Sequence, residues 1–241
     1  MWKPIRAARG IVIVADTTSS WLIPWFYGCF RKHNAYPVHL LPLGLPESEL
    51  RDIKQLGIEI STEQPILKGW WAKPQAIMGA GFERAVWLDL DCEVKGSIDF
   101  LFELPTMYLG MHIDHPAWGH FNRCDGYLQP DEVIYNSGVI AVAYGQHAIP
   151  LWHDACASLF APGDQSTFTR RYGQYNLGDQ EVLSRVIRAH KVPVYEITTR
   201  YNNIRLEPQN PDAVIVHHTG PGKEQIRKQI LKQHDNRQVV L

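Results

Sequence analysis

The sequence predicts an α/β fold, a mostly parallel central sheet flanked by helices, on three observations. Short continuous apolar runs such as Ile11–Ala15 and Ala85–Leu88 read as strands buried on both faces. Segments of helical character separate these runs at the spacing of right-handed βαβ units. Three acids, Asp16, Asp89 and Asp91, fall at or just past the carboxyl ends of such runs, where ligands bind in open parallel sheets. With 241 residues the chain is long enough for one large domain, and no repeat, low-complexity tract or linker divides 1–241.

The elements follow in order. Ile11–Ala15 ends at Asp16, and the polar turn Asp16–Ser20 offers several caps for a helix over Trp21–Arg31. Pro37–Leu41 predicts the second strand, Pro46–Gln55 a second helix closed by Gly57, and Ile58–Ile60 a short third strand. Trp70–Met78 reads as a helix with Pro74 confined to its first turn. The strand carrying Asp89 and Asp91 comes next, then a helical turn over Gly96–Leu104 and a strand over Met107–His112. Asp114–Glu132, with His115, His120 and Cys124, is a long irregular stretch of the kind that is functional or disordered. Val133–Tyr144 predicts a strand interrupted at Asn136-Ser137-Gly138, and Gln146–Leu159 and Gly178–His190 predict helices. Val192–Ile197 and Ala213–Val216 are late strands, and an amphipathic helix over about 223–233 closes the chain or lies at its periphery.

Composition excludes several classes. A formal net charge of −1 gives no basic field for nucleic acid. No apolar stretch approaches the roughly 20 residues of a membrane span. Trp2–Gly10 is basic and broken by Pro4, unlike a secretory signal. Cys29, Cys92, Cys124 and Cys156 lie far apart with no Cys-x-x-Cys, which fits reduced thiols in a cytoplasmic protein. His112, Asp114, His115 and His120 match no zinc spacing.

Asp89 and Asp91 stand two residues apart, a spacing that on an extended chain turns both side chains to one face. Carboxylates so placed repel each other unless a cation lies between them, and hard divalent cations prefer oxygen ligands. The plain alternative is a capping Asp beside a solvated turn Asp.

Four segments then fall into one pattern: WLDLDCEV with GSIDFLF (87–102), YNSGVIAV (135–142), GDQEVL (178–183) and VHHTGPGK (216–223). In this order they resemble glycosyltransferase family 8, the glycogenin and lipopolysaccharide galactosyltransferase type, over about residues 11–223. The resemblance implies a single GT-A nucleotide-sugar-binding domain and retaining, metal-dependent transfer of a hexose. The donor would be UDP-glucose or UDP-galactose, and the acceptor a glycan, a lipid-linked sugar or a protein. Asp89 and Asp91 match the family's metal pair, and His217 matches the histidine of its His-x-x-Gly-x-x-Lys element. Such a set suits Mn²⁺, with Mg²⁺ as the second candidate. Gly220 and Lys223 match the glycine and lysine beside the diphosphate, and Lys73 the cation upstream of the Asp pair. Asn136 matches a donor- or acceptor-binding asparagine. Asp179 matches the acid that grips sugar hydroxyls, Gln180 the amide near the anomeric carbon, and Asp16 the reader of uracil and ribose. Asp114 resembles a residue leading into the acceptor region. With no carboxylate nucleophile on the opposite face, front-face departure assisted by Gln180 is the implied route.

Two departures stand out. Glu224 and Gln225 follow Lys223 where the family carries Pro-Trp, and residues 17–21 lack its usual Asn and aromatic. His217 and His218 as ordinary strand-end histidines, Lys223 as a surface lysine and Asp179 as an N-cap are the plain alternatives. The basic residues of the last helix fit a solvated face, or attachment to an anionic membrane surface. Two other functions share the sheet: a sugar-nucleotide pyrophosphorylase, which wants a glycine-rich phosphate loop absent from Asp16–Ser20, and a non-catalytic nucleotide-sugar-binding protein.

Overall fold

Alternation along the first strand sets the architecture. In β1 (Ala7–Asp16) Ile11, Ile13 and Ala15 enter one apolar cluster and Val12 enters another, so the strand is covered on both faces. The structure, a computed structural model, describes residues 1–115, 128–129, 131–160, 170–172, 175–205 and 207–238. His120 and Cys124 lie outside them.

After β1 a single 3-10 turn (Ser20–Leu22) leads into α1 (Ile23–Arg31), two residues later than the sequence predicts, because Pro24 fits a first helical turn. Then follow β2 (Val38–Leu43), α2 (Glu47–Gln55) and β3 (Glu59–Ile60). The predicted helix at Trp70 splits into a 3-10 turn (Gly69–Ala72) and α3 (Lys73–Gly79), with Pro74 in the first turn. Next come β4 (Phe82–Leu88), β5 (Cys92–Val94), β6 (Leu109–Ile113), β7 (Tyr135–Ala143) and α4 (Ala148–Ser158). The hairpin β8 (Arg170–Tyr172) and β9 (Tyr175–Leu177) precedes α5 (Asp179–Ala189). The last elements are β10 (Val194–Glu196), α6 (Thr198–Tyr201), β11 (Asn203–Ile204), β12 (Ile215–His217) and α7 (Lys223–Gln238).

Seven strands form the main sheet in the order β10-β6-β7-β4-β1-β2-β3. The β4-β1-β2-β3 run and the β10–β6 pair are parallel, while β7 runs antiparallel to both its neighbours. Asn136-Ser137-Gly138 does not interrupt β7, because backbone pairing to β6 carries the strand through it; a register shift between Gly110 and His112 absorbs the irregularity.

One cluster packs α1 residues Ile23, Phe26 and Phe30 against Val86, Leu88, Val139 and Ala141. The opposite face packs Trp71, Ile77, Trp152, Val182 and Leu183 against Trp87, Ile140 and Val142. Each such fully buried side chain contributes about 1.5–3 kcal/mol, so the cleft stands on a rigid floor. A second sheet, β11-β12-β5, has strands too short for any periodic signal, and its β5–β12 pairing is what positions the site. Among the described residues no helix is long and apolar enough to cross a membrane.

Candidate active site

The acidic pair does not lie on extended chain. Strand β4 stops at Leu88, and Leu90 and Asp91 form a turn closed by the Cys92 amide donating to the Asp89 carbonyl at 3.0 Å. Alternation along a strand therefore does not bring the two carboxylates to one side; the turn does. The Asp89 amide donates to the Gly138 carbonyl at 2.8 Å, which anchors this turn to β7.

The partner histidine arrives by sheet pairing. Strand β12 runs antiparallel to β5 with His217 opposite Cys92, and the His218 amide donates to the Asp91 carbonyl at 2.9 Å. His217 Nε2 then stands 3.2 Å from Asp91 Oδ1 and 3.7 Å from Asp89 Oδ2. Its ring lies over Gly138, where an added Cβ would come within 2.0 Å of the imidazole. Asp91, Cys92 and His217 can bring one ligand atom each within 4.8 Å of one another. Cys92 serves the core instead: it is buried, burial holds its thiol far above the ordinary range, and its Sγ faces the Gly138 carbonyl. Asp89, at the cleft surface, brings a further carboxylate near the same imidazole. His218 turns away, to Glu93 at 3.1 Å.

Two lysines and a third acid complete the charge cluster. Lys73 Nζ stands 3.0 Å from Asp89 Oδ1 and 3.2 Å from Asp179 Oδ2, with 4% of its side chain exposed. Burial opposes its charge, yet the Asp179 and Asp89 carboxylates hold its pKa above the ordinary value. Lys73 Nζ also donates to Ser137 Oγ at 3.0 Å, and that hydroxyl donates to Asp179 Oδ2 at 2.9 Å. Lys223 Nζ lies 3.3 Å from Asp91 Oδ2. Burial alone would raise the Asp91 carboxyl, but His217 and Lys223 hold it well below the carboxylate range. Burial keeps Asp179 above it despite Lys73. Glu181, buried in the same helix turn beside Asp179, is pushed to about 7.

Amides and one further acid line the other side. Gln180 Nε2 donates to Asp114 Oδ2 at 2.9 Å, and Asn136 Nδ2 donates to Asp114 Oδ1 at 3.4 Å. Burial lifts the Asp114 carboxyl above its ordinary value. Among the described residues His112 joins no metal set: its Nδ1 meets Glu196, and its Nε2 lies 2.7 Å from Glu207.

At the far end of the cleft Asp16 closes its own turn. Its Oδ1 accepts from the Thr18 amide at 3.0 Å, the Thr18 hydroxyl at 2.7 Å and the Ser19 hydroxyl at 2.8 Å. Asp16 caps no helix, since neither helical segment after it has a side-chain cap, and it lines the cleft. Gly220 adopts φ +54°, the left-handed region that favours glycine. Helix α7 is docked rather than solvated all round. Ile226 is fully buried, Trp25 Nε1 donates to Gln229 at 3.1 Å, and the Arg227 guanidinium lies 5.0 Å from the Trp21 ring.

Of the eleven residues chosen from sequence, ten line the cleft, and Asp114 stands behind its wall, accepting from Gln180 and Asn136. Asp16, Lys73, Asp89, Asp91, Asn136, Asp179, Gln180, His217, Gly220 and Lys223 line one cleft of about 680 Å³. Sequence reasoning missed Ser137, Asn202 and Glu181. Ser137 sits inside the quoted Asn-Ser-Gly and Glu181 inside the quoted GDQEVL, so the signal was present there; Asn202 lies in no recognisable pattern.

No protein-family model matches the sequence, and no curated protein matches it. Among solved structures, the galactosyltransferase LgtC, in complex with donor and acceptor sugar analogs, superposes with TM-score 0.60 at 17% identity, covering 88% of this chain and 87% of that one. The bifunctional glycosyltransferase WbbM gives TM-score 0.61 at 13% identity over 90% of this chain and 47% of its own. Mouse xyloside xylosyltransferase 1 gives 0.55 at 14% identity over 88% and 97%. The chain therefore has the α/β fold of these glycosyltransferases, the GT-A fold, with its charged cleft where β1 and β4 end.

Proposed function

We propose that the chain is a single-domain, metal-dependent retaining glycosyltransferase of the family 8 type. It would move a hexose, glucose or galactose, from a UDP-sugar to a glycan, lipid-linked or protein acceptor. One observation carries this reading: Asp89, Asp91, His217 and Lys223, from two chain segments far apart in sequence, converge within 4 Å contacts in the cleft of a GT-A fold. Two carboxylates and one imidazole form an oxygen-rich donor set that fits Mn²⁺, with Mg²⁺ second. Such a cation, held by Asp89, Asp91 and His217, would stabilise negative charge on a departing diphosphate.

The protein's own groups supply the rest. Lys223 and Lys73 aim positive charge at the same diphosphate, and Gly220 lets backbone approach it. Asp179, fixed by Ser137 and Lys73, takes sugar hydroxyls. Gln180 donates its NH₂ to Asp114, which leaves its carbonyl oxygen for the face of the anomeric carbon. Asn136 and Asp114 serve the sugar and acceptor side, and Asp16 the nucleoside. The basic outer face of α7 suits a cytoplasmic protein working at an anionic membrane surface, where lipid-linked acceptors lie.

The test is hydrolysis of a panel of nucleotide sugars with and without Mn²⁺, with Asp91→Ala as control. Turnover of a UDP-hexose that needs both the cation and Asp91 is the expected result. Binding without turnover would support a non-catalytic nucleotide-sugar-binding protein. Equal activity in Asp91→Ala would remove the metal role.

A further inference from the structure

Behind His217, on the side away from the carboxylates, stands a fully buried amide. Asn202 has no exposed surface. Its Oδ1 lies 3.2 Å from His217 Nδ1, and its Nδ2 donates to Asn136 Oδ1 at 3.0 Å. Asn136 Oδ1 also accepts from the Gly138 amide at 3.0 Å. A backbone N–H can only donate, so the Asn136 oxygen is an acceptor, and Asn202 must turn its NH₂ toward it. The orientation of Asn202 is therefore settled without reference to the histidine, and its oxygen is the end that faces the ring. That oxygen can only accept, so the ring nitrogen opposite it carries a proton.

Resting on the cation reading proposed above, we infer that Asn202 is a positioning residue for the metal site. It holds the His217 ring with a protonated Nδ1 toward the interior and Nε2 toward Asp89 and Asp91. Two surfaces fix the ring: Gly138 gives it a floor with no Cβ, and Asn202 gives it a rear hydrogen bond. Partners behind a metal-binding histidine set its tautomer and its orientation. An amide does this without adding charge, whereas a carboxylate would add a fourth negative group near Asp89, Asp91 and Asp179. The same amide joins two halves of the cleft. From His217 the hydrogen bonds run through Asn202 and Asn136 to Asp114 and on to Gln180. The histidine that would face the cation and the glutamine that would face the sugar thus share one hydrogen-bonded chain.

The experiment measures Mn²⁺ affinity in the presence of UDP for wild type, Asn202→Leu, Asn202→Asp and Asp91→Ala. It is joined to ¹⁵N NMR of the His217 ring in the wild-type chain with diamagnetic Mg²⁺ and UDP, assigned through His217→Gln. Asn202→Leu should weaken cation binding by roughly 10–100-fold. Asn202→Asp keeps an acceptor oxygen behind the ring but loses the NH₂ that donates to Asn136 Oδ1 and adds a charge, so it should recover only part of that affinity and bind Mn²⁺ more tightly than Asn202→Leu. The wild-type ring should be protonated at Nδ1 and not at Nε2. Asn202→Leu binding Mn²⁺ as tightly as wild type, or a cation-loaded ring protonated at Nε2, would overturn the role of Asn202 alone. A folded wild type that binds no divalent cation, matching Asp91→Ala, would overturn the cation reading itself. If Asn202→Leu does not fold, the wild-type ring and the Asn202→Asp affinity decide between these outcomes.

Discussion

Lys73 carries its charge into the protein because two carboxylates meet it there, and removing it strands both. Breaking a buried ion cluster by deleting one partner costs about 3–5 kcal/mol. Lys73→Met should therefore lower unfolding free energy by that order in urea denaturation, and adding Asp179→Asn should restore part of it. His112 makes a second residue-scale case. Burial works against its charge, but Glu196 and Glu207 raise its pKa above the ordinary 6.5. A raised folded pKa stabilises fully below that value and loses its contribution as pH climbs through the folded one. The stability gap between wild type and His112→Gln should be wide near about pH 5.5 and narrower near about pH 8.5, as read by denaturant unfolding. That Asp89, Asp91 and His217 come together was legible through the family resemblance of the segments that carry them, and the structure does bring them together. Ser137 and Asn202 were not legible, because hydroxyls and amides serve caps, turns and cores alike.

At the scale of elements the site depends on how close β7 lets β12 approach. Gly138→Ala would put a Cβ into the His217 ring, at a distance of 2.0 Å before relaxation. Overpacking of this kind costs about 1–3 kcal/mol. We expect a folded protein whose Mn²⁺ affinity falls sharply, measured by metal titration beside a circular dichroism melt. Helix α7 is held by Ile226, which packs in the same cluster as Phe26 and Phe30. Ile226→Ala should cost up to about 2–5 kcal/mol of docking. Hydrogen exchange should then quicken across Lys223–Gln229, and apparent donor affinity should weaken, because Lys223 starts that helix. The sequence reading of this helix left its docking open; one apolar face shows that a helix is covered, but not by what.

For the whole molecule, the parallel half of the sheet was readable because β1, β2 and β4 each hold a short, mainly apolar run followed by a turn or an acid. The antiparallel insertion of β7 was not, because a strand buried on both faces looks the same in either direction. The three-stranded sheet β11-β12-β5 escaped for a different reason: strands of two or three residues hold no period, and long-range pairing defines them. On the proposed reading that sheet would make global stability respond to ligands: a cation held by Asp89, Asp91 and His217 would bind only the folded chain and at 100 times its Kd would add about 2.7 kcal/mol. Mn²⁺ with UDP should raise Tm in wild type, a chelator should reverse the shift, and Asp91→Ala should show neither effect in differential scanning.

The pairing of β5 with β12 also has a consequence for biosynthesis. Asp91 leaves the ribosome more than a hundred residues ahead of His217, an interval of roughly 6–25 s at about 5–20 residues per second. Strands β1, β2 and β4 are already available to pair in that time, so the sheet would gather around an acidic turn that still lacks its histidine and Lys223. On the proposed function, full donor affinity would then appear only after the last strand has docked.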